Sequence, residues 1–123
     1  MTEDALLQLL HRGKHLATSI IASAETKLAW VGVYPLDVHR KGTVRALQRS
    51  GLSMPDNDDI IYAVRAFEVE RTRVNSDAWI CEDDLDNKVN TVVIGDDALR
   101  AKLEEVGVRM DQLDLPYKSN YPI

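Results

Sequence analysis

The chain has 123 residues, a single cysteine and a formal net charge of −5, which fits one globular domain that folds without disulfide bonds. An apolar fraction of 45% argues against disorder, and the acidic balance argues against nucleic acid as a partner. No apolar run approaches the ~20 residues of a membrane span. The first residues lack the basic start of a signal peptide, so we expect a cytoplasmic protein without membrane contact.

Three elements are predicted in the first half of the chain. Leucines recur at helical spacing behind an acidic first turn, and the apolar stripe continues far enough to predict one helix over residues 2–24. The apolar run at residues 28–34 is rich in aromatic and β-branched residues and predicts a buried strand. Residues 37–51 predict a second helix with a basic outer face.

Shorter elements are predicted after residue 52. Residues 53–74 are ambiguous between helix and strand, and we interpret them as a helix over 55–66 followed by a strand over 67–74. Two further strands, residues 78–81 and 89–94, flank an acidic turn and are consistent with a β-hairpin.

The end of the chain predicts one more helix and a tail. The helix is capped by Asp96 or Asp97 and ends at Gly107, and residues 111–123 form an extended tail on the body. Consecutive strands late in the chain favour an α+β fold. We therefore expect a small single domain with a mainly antiparallel sheet, including the late hairpin, packed by three to four helices.

No motif in the sequence predicts catalysis, a cofactor or a metal ion. His11 and His15 lie four residues apart on the predicted first helix, but they lack the glutamate of a zinc-protease helix and are expected on a solvated face. The acidic turn after residue 82 fails the EF-hand pattern, and no glycine-rich phosphate loop is present. Cys81 closes an apolar strand and is expected to be buried. We therefore predict a protein that is not an enzyme and needs no cofactor.

Charge is distributed unevenly along the chain. Residues 1–50 carry seven Lys/Arg and four Asp/Glu, whereas residues 51–123 carry eight Lys/Arg and sixteen Asp/Glu. A dense acidic surface attracts cationic partners and repels phosphate backbones. The densest acids, which we take as a candidate surface for a basic protein partner, are Glu82, Asp83, Asp84, Asp86, Asp96 and Asp97.

A small, acidic, cofactor-free α+β protein with these six carboxylates resembles the immunity proteins of bacterial toxin–immunity pairs, such as those of contact-dependent inhibition systems. The resemblance is to a type of protein and supplies no fold or site. It implies that the chain binds and neutralises a cognate basic toxin domain, often a nuclease, with carboxylates in the place of substrate phosphates. Trp30 and Trp79 lie in predicted strands, where burial in the core is the commoner placement. Trp79 and Tyr117 are nevertheless the candidate apolar anchors of such an interface.

Two other functions are compatible with the sequence. A small enzyme or ligand-binding domain of an unfamiliar family predicts a concave pocket that contains at least two ionisable groups with shifted pKa values. A homo-oligomeric regulatory subunit predicts self-association through the basic and acidic halves.

Overall fold

A single antiparallel sheet organises the part of the chain that the computed structural model describes, residues 2–36, 41–52, 60–76 and 79–122. Its four strands lie in the order in which they occur in the sequence, and each is antiparallel to its neighbours. They are β1 (Leu16–Ile20), β2 (Lys27–Leu36), β3 (Ile61–Glu70) and β4 (Asp86–Ile94).

Helices and short 3₁₀ turns surround this sheet. The helices are α1 (Glu3–His11), α2 (Lys41–Arg49), α3 (Arg71–Val74) and α4 (Asp96–Glu105), and 3₁₀ turns occur at Glu82–Asp84, Met110–Gln112 and Pro116–Ser119. The α+β prediction is therefore confirmed. Among the described residues, no helix has the length and apolarity needed to cross a membrane.

Both faces of the sheet carry a core, because successive side chains of a strand point to opposite faces. On one face, Val31 and Val33 of β2 pack in a cluster with Leu10 of α1 and Leu103 of α4. On the other face, a second cluster forms from Trp30, Phe67, Val69 and Leu85. This double burial explains why residues 28–34 form a continuous apolar run, and the strand predicted there is confirmed within β2.

The long first helix predicted over residues 2–24 is wrong beyond His11. Gly13 has φ +88, a left-handed conformation that interrupts the helix, and Leu16–Ile20 then pairs with β2. The apolar stripe was continuous because both α1 and β1 bury residues on the same face of the sheet. The second predicted helix is confirmed as α2 over Lys41–Arg49, and residues 37–40 lie outside the described part.

The interpretation of residues 53–74 is partly wrong. Its strand is confirmed over residues 67–70, which belong to β3. Residues 53–59 lie outside the described part, but residues 61–66 are strand and not helix. Pairing with β2 on one side and β4 on the other keeps the whole of β3 extended through Glu70. Residues 71–74 form α3 in place of the predicted strand end. Non-local pairing here overrides a local pattern that fits either state.

The predicted hairpin between residues 78–81 and 89–94 is also wrong. β4 pairs with β3, from Ile61 opposite Ile94 to Glu68 opposite Asp86, and the described residues 79–81 form no strand. The last predicted helix is confirmed as α4, but its N-cap is Gly95 and no side chain caps it. The tail lies on the body as expected, although it contains two 3₁₀ turns and is not extended throughout.

A buried carboxylate holds the β1–β2 loop against the start of β4. Glu68 is 8% exposed and accepts hydrogen bonds from the Ser23 backbone N–H at 2.5 Å, from the Ser23 hydroxyl at 2.8 Å and from the Asn87 amide. The Ser23 N–H hydrogen bond is the main reason that the pKa of Glu68 lies below its ordinary 4.5, although burial opposes this shift.

Replacing Glu68 by Gln should destabilise the protein by about 1–3 kcal/mol at neutral pH, because a charged acceptor with three donors is lost. Since the folded-state pKa is lowered, the contribution of Glu68 is complete above pH 4.5 and disappears as the pH falls through the folded-state pKa. The difference in unfolding free energy between wild type and E68Q should therefore shrink in acid, as measured by urea denaturation. Glu70→Gln is the control, because Glu70 is half exposed and its Lys27 ion pair is 3.9 Å long.

Candidate functional site

A groove of about 830 Å³ opens on the Trp30 face of the sheet, beside the edge strand β1. Its walls come from the segment after α3 and from the end of the C-terminal tail. The described residues that line it include no ionisable side chain, and they are Ser19, Ile20, Leu28, Ala29, Trp30, Val74, Asn75, Trp79, Ile80, Ser119, Asn120 and Pro122.

The two tryptophans of this groove have opposite environments. Trp30 is 2% exposed, and its indole N–H donates a hydrogen bond to the Ser119 carbonyl at 2.8 Å. Trp79 is 89% exposed, so the expectation that it is buried in the core is wrong. The same expectation for Trp30 is confirmed. Tyr117, the other candidate anchor, is 70% exposed and lies in the 3₁₀ turn that also contributes Ser119. Large exposed aromatic side chains are typical anchors of protein interfaces.

Arg73 fixes the loop that carries Trp79. Its guanidinium donates to the Trp79 carbonyl at 3.2 Å and to the Asp84 carboxylate at 3.3 Å. Asp84 also accepts the Cys81 backbone N–H at 2.7 Å, and this bond is the main cause that lowers the pKa of Asp84. Cys81 itself is exposed, which corrects the prediction that it is buried. The reason is that the described residues 79–81 form an irregular segment and not the predicted strand.

Most acids of this loop are already paired within the protein. Arg65 donates to Glu82, and this hydrogen bond is the main cause that lowers the pKa of Glu82. Asp86 forms an ion pair with Lys27 at 3.3 Å. Within the described residues, Asp83 has neither an ion pair nor a side-chain hydrogen bond, which leaves it as the loop carboxylate available to a partner.

The six acids form two separate groups and are not brought together in one patch. Asp96 and Asp97 begin α4, at the opposite end of β4 from the 82–86 group, roughly 25 Å away at ~3.3 Å per residue. Asp97 pairs with Arg100 at 2.9 Å, and Arg100 also donates to Glu3. The second group therefore connects α4 to α1.

The carboxylate of Asp96 contacts both β3 and α1. The Tyr62 hydroxyl donates to it at 2.6 Å, and His11 Nε2 lies 3.3 Å away. Partial burial opposes ionisation of Asp96, but these two contacts outweigh it and lower its pKa. His15 lies elsewhere, stacked on Tyr34 with ring centroids 5.0 Å apart, so the two histidines do not share a site. In the part of the chain that is described, no three His, Cys, Asp or Glu side chains are grouped to hold a metal ion.

A tyrosine pair fastens the C-terminal wall of the groove. The hydroxyls of Tyr34 and Tyr121 share a hydrogen bond at 2.6 Å, and burial raises the pKa of both phenols. Tyr121 packs over Gly32 so closely that a side chain at that position would collide with its ring. Sequence analysis missed this contact, and its one available signal was a glycine inside a strand, which marks a close approach.

The comparisons with known proteins identify no relative of this chain. No family model, curated protein or solved structure matches it. The site is therefore interpreted from its own geometry. Among the described lining residues, the groove has no ionisable side chain, and a smaller depression beside Ser23 has Glu68, whose pKa is lowered. The described lining of neither has the paired titratable groups expected of an acid–base catalytic pocket, whereas a depression of about 620 Å³ beside α1 and α4 is lined by several ionisable side chains, including Glu3, Arg100 and Asp111.

Replacing Arg73 by Ala should loosen the Trp79 loop, because it removes the donor shared by the Trp79 carbonyl and the Asp84 carboxylate. We expect the Cys81 amide to exchange its hydrogen roughly fivefold faster, as measured by native-state hydrogen exchange. Arg45→Ala on the exposed side of α2 is the matched control. Unchanged Cys81 exchange in R73A would show that Arg73 does not fix this loop.

Proposed function

We propose that this chain is a protein-binding module of the immunity type, which binds and neutralises a basic toxin domain through the groove and the loop of residues 79–84. The observation that carries the proposal is the 89% exposure of Trp79 beside a groove whose described lining is uncharged. An exposed tryptophan is costly to leave in water and is among the residues that contribute most to protein interfaces.

The geometry of the groove suits a protein surface better than a reactive small molecule. Its floor combines Leu28 and Trp30, and its polar lining consists of hydroxyl and amide groups such as Ser19 and Asn75. This combination of an apolar centre with neutral hydrogen-bonding groups is the usual composition of an interface core. Tyr117, on the wall that also contains Ser119, would be the second aromatic anchor.

Charge supports a cationic partner, although less strongly than the sequence suggested. The net charge of −5 favours encounter with a basic protein. Close to Trp79, however, Glu82 and Asp84 already pair with Arg65 and Arg73. These ion pairs orient the loop for binding, and among the described acids of the loop the charge still available for direct contact is that of Asp83.

As part of this proposal, the protein acts in the cytoplasm of a bacterium. One cysteine gives no intrachain disulfide, which suits a reducing compartment. The proposal predicts that a gene for a large secreted toxin lies immediately upstream of the gene for this chain. An operon of metabolic enzymes there would contradict it.

Replacing Trp79 by Ala should weaken binding to the C-terminal domain of that upstream-encoded protein by about 2 kcal/mol, or roughly 30-fold in Kd. Calorimetric titration of the full chain measures this directly and should give a 1:1 complex for wild type. Ile21→Ala is the control, because Ile21 is 97% exposed and does not line the groove. Equal affinities of W79A and wild type, with the fold intact, would contradict the proposed site.

Replacing Asp83 by Asn should lower the association rate about twofold at low salt and reduce its salt dependence, because a charge near the interface steers the encounter. Stopped-flow measurements at several ionic strengths test this. Glu104→Gln on α4 removes the same charge on the other face of the sheet and should change the rate less. An identical effect of both variants would mean that only net charge matters and that the 79–84 loop does not face the partner.

A further inference from the structure

β4 is the outermost strand on one side of the sheet. In the described part of the chain no strand pairs with its outer side. β1, the other edge strand, is shorter and is bridged at Ala17 by Asp114, with both backbone hydrogen bonds formed at 2.9 and 3.0 Å. A free edge presents unpaired N–H and C=O groups that favour addition of another strand.

The register shows which backbone groups of β4 point outward. Ala17 bonds outward to Asp114, and in an antiparallel sheet inward and outward residues alternate along each strand. Ala17 lies opposite Gly32, Gly32 opposite Arg65, and Arg65 opposite Asn90. Following the alternation across these three pairs, the N–H and C=O groups of Asn90 point away from β3. The Gly95 N–H donates to the Ile60 carbonyl, so position 95 points toward β3. This agrees with the alternation, because positions 90 and 95 then point in opposite directions. Val92 and Ile94, which lie in the same regular ladder, therefore also point their N–H and C=O groups outward.

The side chains of this edge offer little protection against pairing. Residues 89–94 contain no charge and are rich in β-branched residues, and Val89 is 48% exposed. Natural edge strands are usually blocked by charges, proline or bulges. Here the charges of Asp86 and Lys88 and the left-handed Asn87, with φ 51, are all confined to the beginning of the strand. The regular ladder with β3 runs from residue 89 to residue 94, and a register shift separates it from the pair of Glu68 with Asp86. The extended edge from residue 88 to residue 94 has its midpoint at Thr91.

We infer that β4 pairs antiparallel with β4 of a second copy of this chain, about a two-fold axis at Thr91. In this register Asn90 lies opposite Val92 of the second copy, and Lys88 lies opposite Ile94. Asn90 and Val92 are both outward, so each of the two symmetry-related Asn90–Val92 pairs exchanges two hydrogen bonds. Thr91 faces itself and Val89 faces Val93, which are favourable cross-strand pairs. The same strand serves both copies, as a closed two-fold interface requires.

This dimer is independent of the proposed function. The groove includes Ser19 and Ile20 of β1, at the opposite edge of the sheet, so both copies keep it open. Dimerisation is therefore measured on the full chain alone, without any toxin domain.

Sedimentation velocity over a concentration series tests the pairing. Wild type should reach twice the mass of one chain. Val92→Pro removes an outward N–H without breaking the β3–β4 ladder, and should lower self-association at least tenfold. Ser19→Pro removes an outward N–H from β1 and is the matched control, with unchanged self-association. A monomeric wild type, or a dimer that V92P leaves unchanged, would overturn the inference.

Cysteine cross-linking tests the register and does not depend on the folding of the proline variant. At the two-fold axis the two Thr91 Cα atoms would lie ~4.5 Å apart, within the range of a disulfide. In a Cys81→Ser background, T91C should form a covalent dimer under mild oxidation, whereas V93C, displaced from the axis, should not. Equal cross-linking of T91C and V93C, or none in T91C, would overturn the Thr91-centred pairing.

Discussion

The long pairing of β2 with β3 is the interaction on which the rest of the structure depends. It runs through ten residue pairs, from Lys27 opposite Glu70 to Leu36 opposite Ile61, and places both strands in the centre of the sheet. Because alternate residues of the two strands point to opposite faces, this one pairing creates two cores. Helices α1 and α4 cover one core, and irregular segments with the C-terminal tail cover the other. The groove lies on the face of this second core.

The acidic residues have mainly a structural role at both ends of β4. Near its start, Arg65, Arg73 and Lys27 each hold one carboxylate of the 82–86 group. Near its end, Asp96 and Asp97 connect α4 with α1. An ion pair formed within the chain reduces the charge that a partner can use, so the aromatic and apolar groups around Trp79 become the stronger argument for binding.

The two edges of the sheet have different chemistry. At β1, the tail forms a single bridge and then crosses the Trp30 face, where Tyr121 packs over Gly32 and the groove remains beside it. At β4, the backbone of residues 88–94 is left without a strand partner in the described chain. The groove therefore lies beside one edge of the sheet, and the unpaired backbone lies at the other.

By itself the sequence determined a single α+β domain, the buried strand within β2, and helices α2 and α4, because in each case a local pattern matched one element only. It also named Trp79 as a candidate anchor from residue type. Only the tertiary structure decided that residues 16–20 and 61–66 are strands, since their apolar residues fit a helix equally well until pairing with β2 is known. The pairing of the acidic residues was likewise decided only by the tertiary structure. Ion pairs such as Arg65–Glu82 join residues far apart in sequence, and no local pattern of charge can specify which cation lies beside which carboxylate.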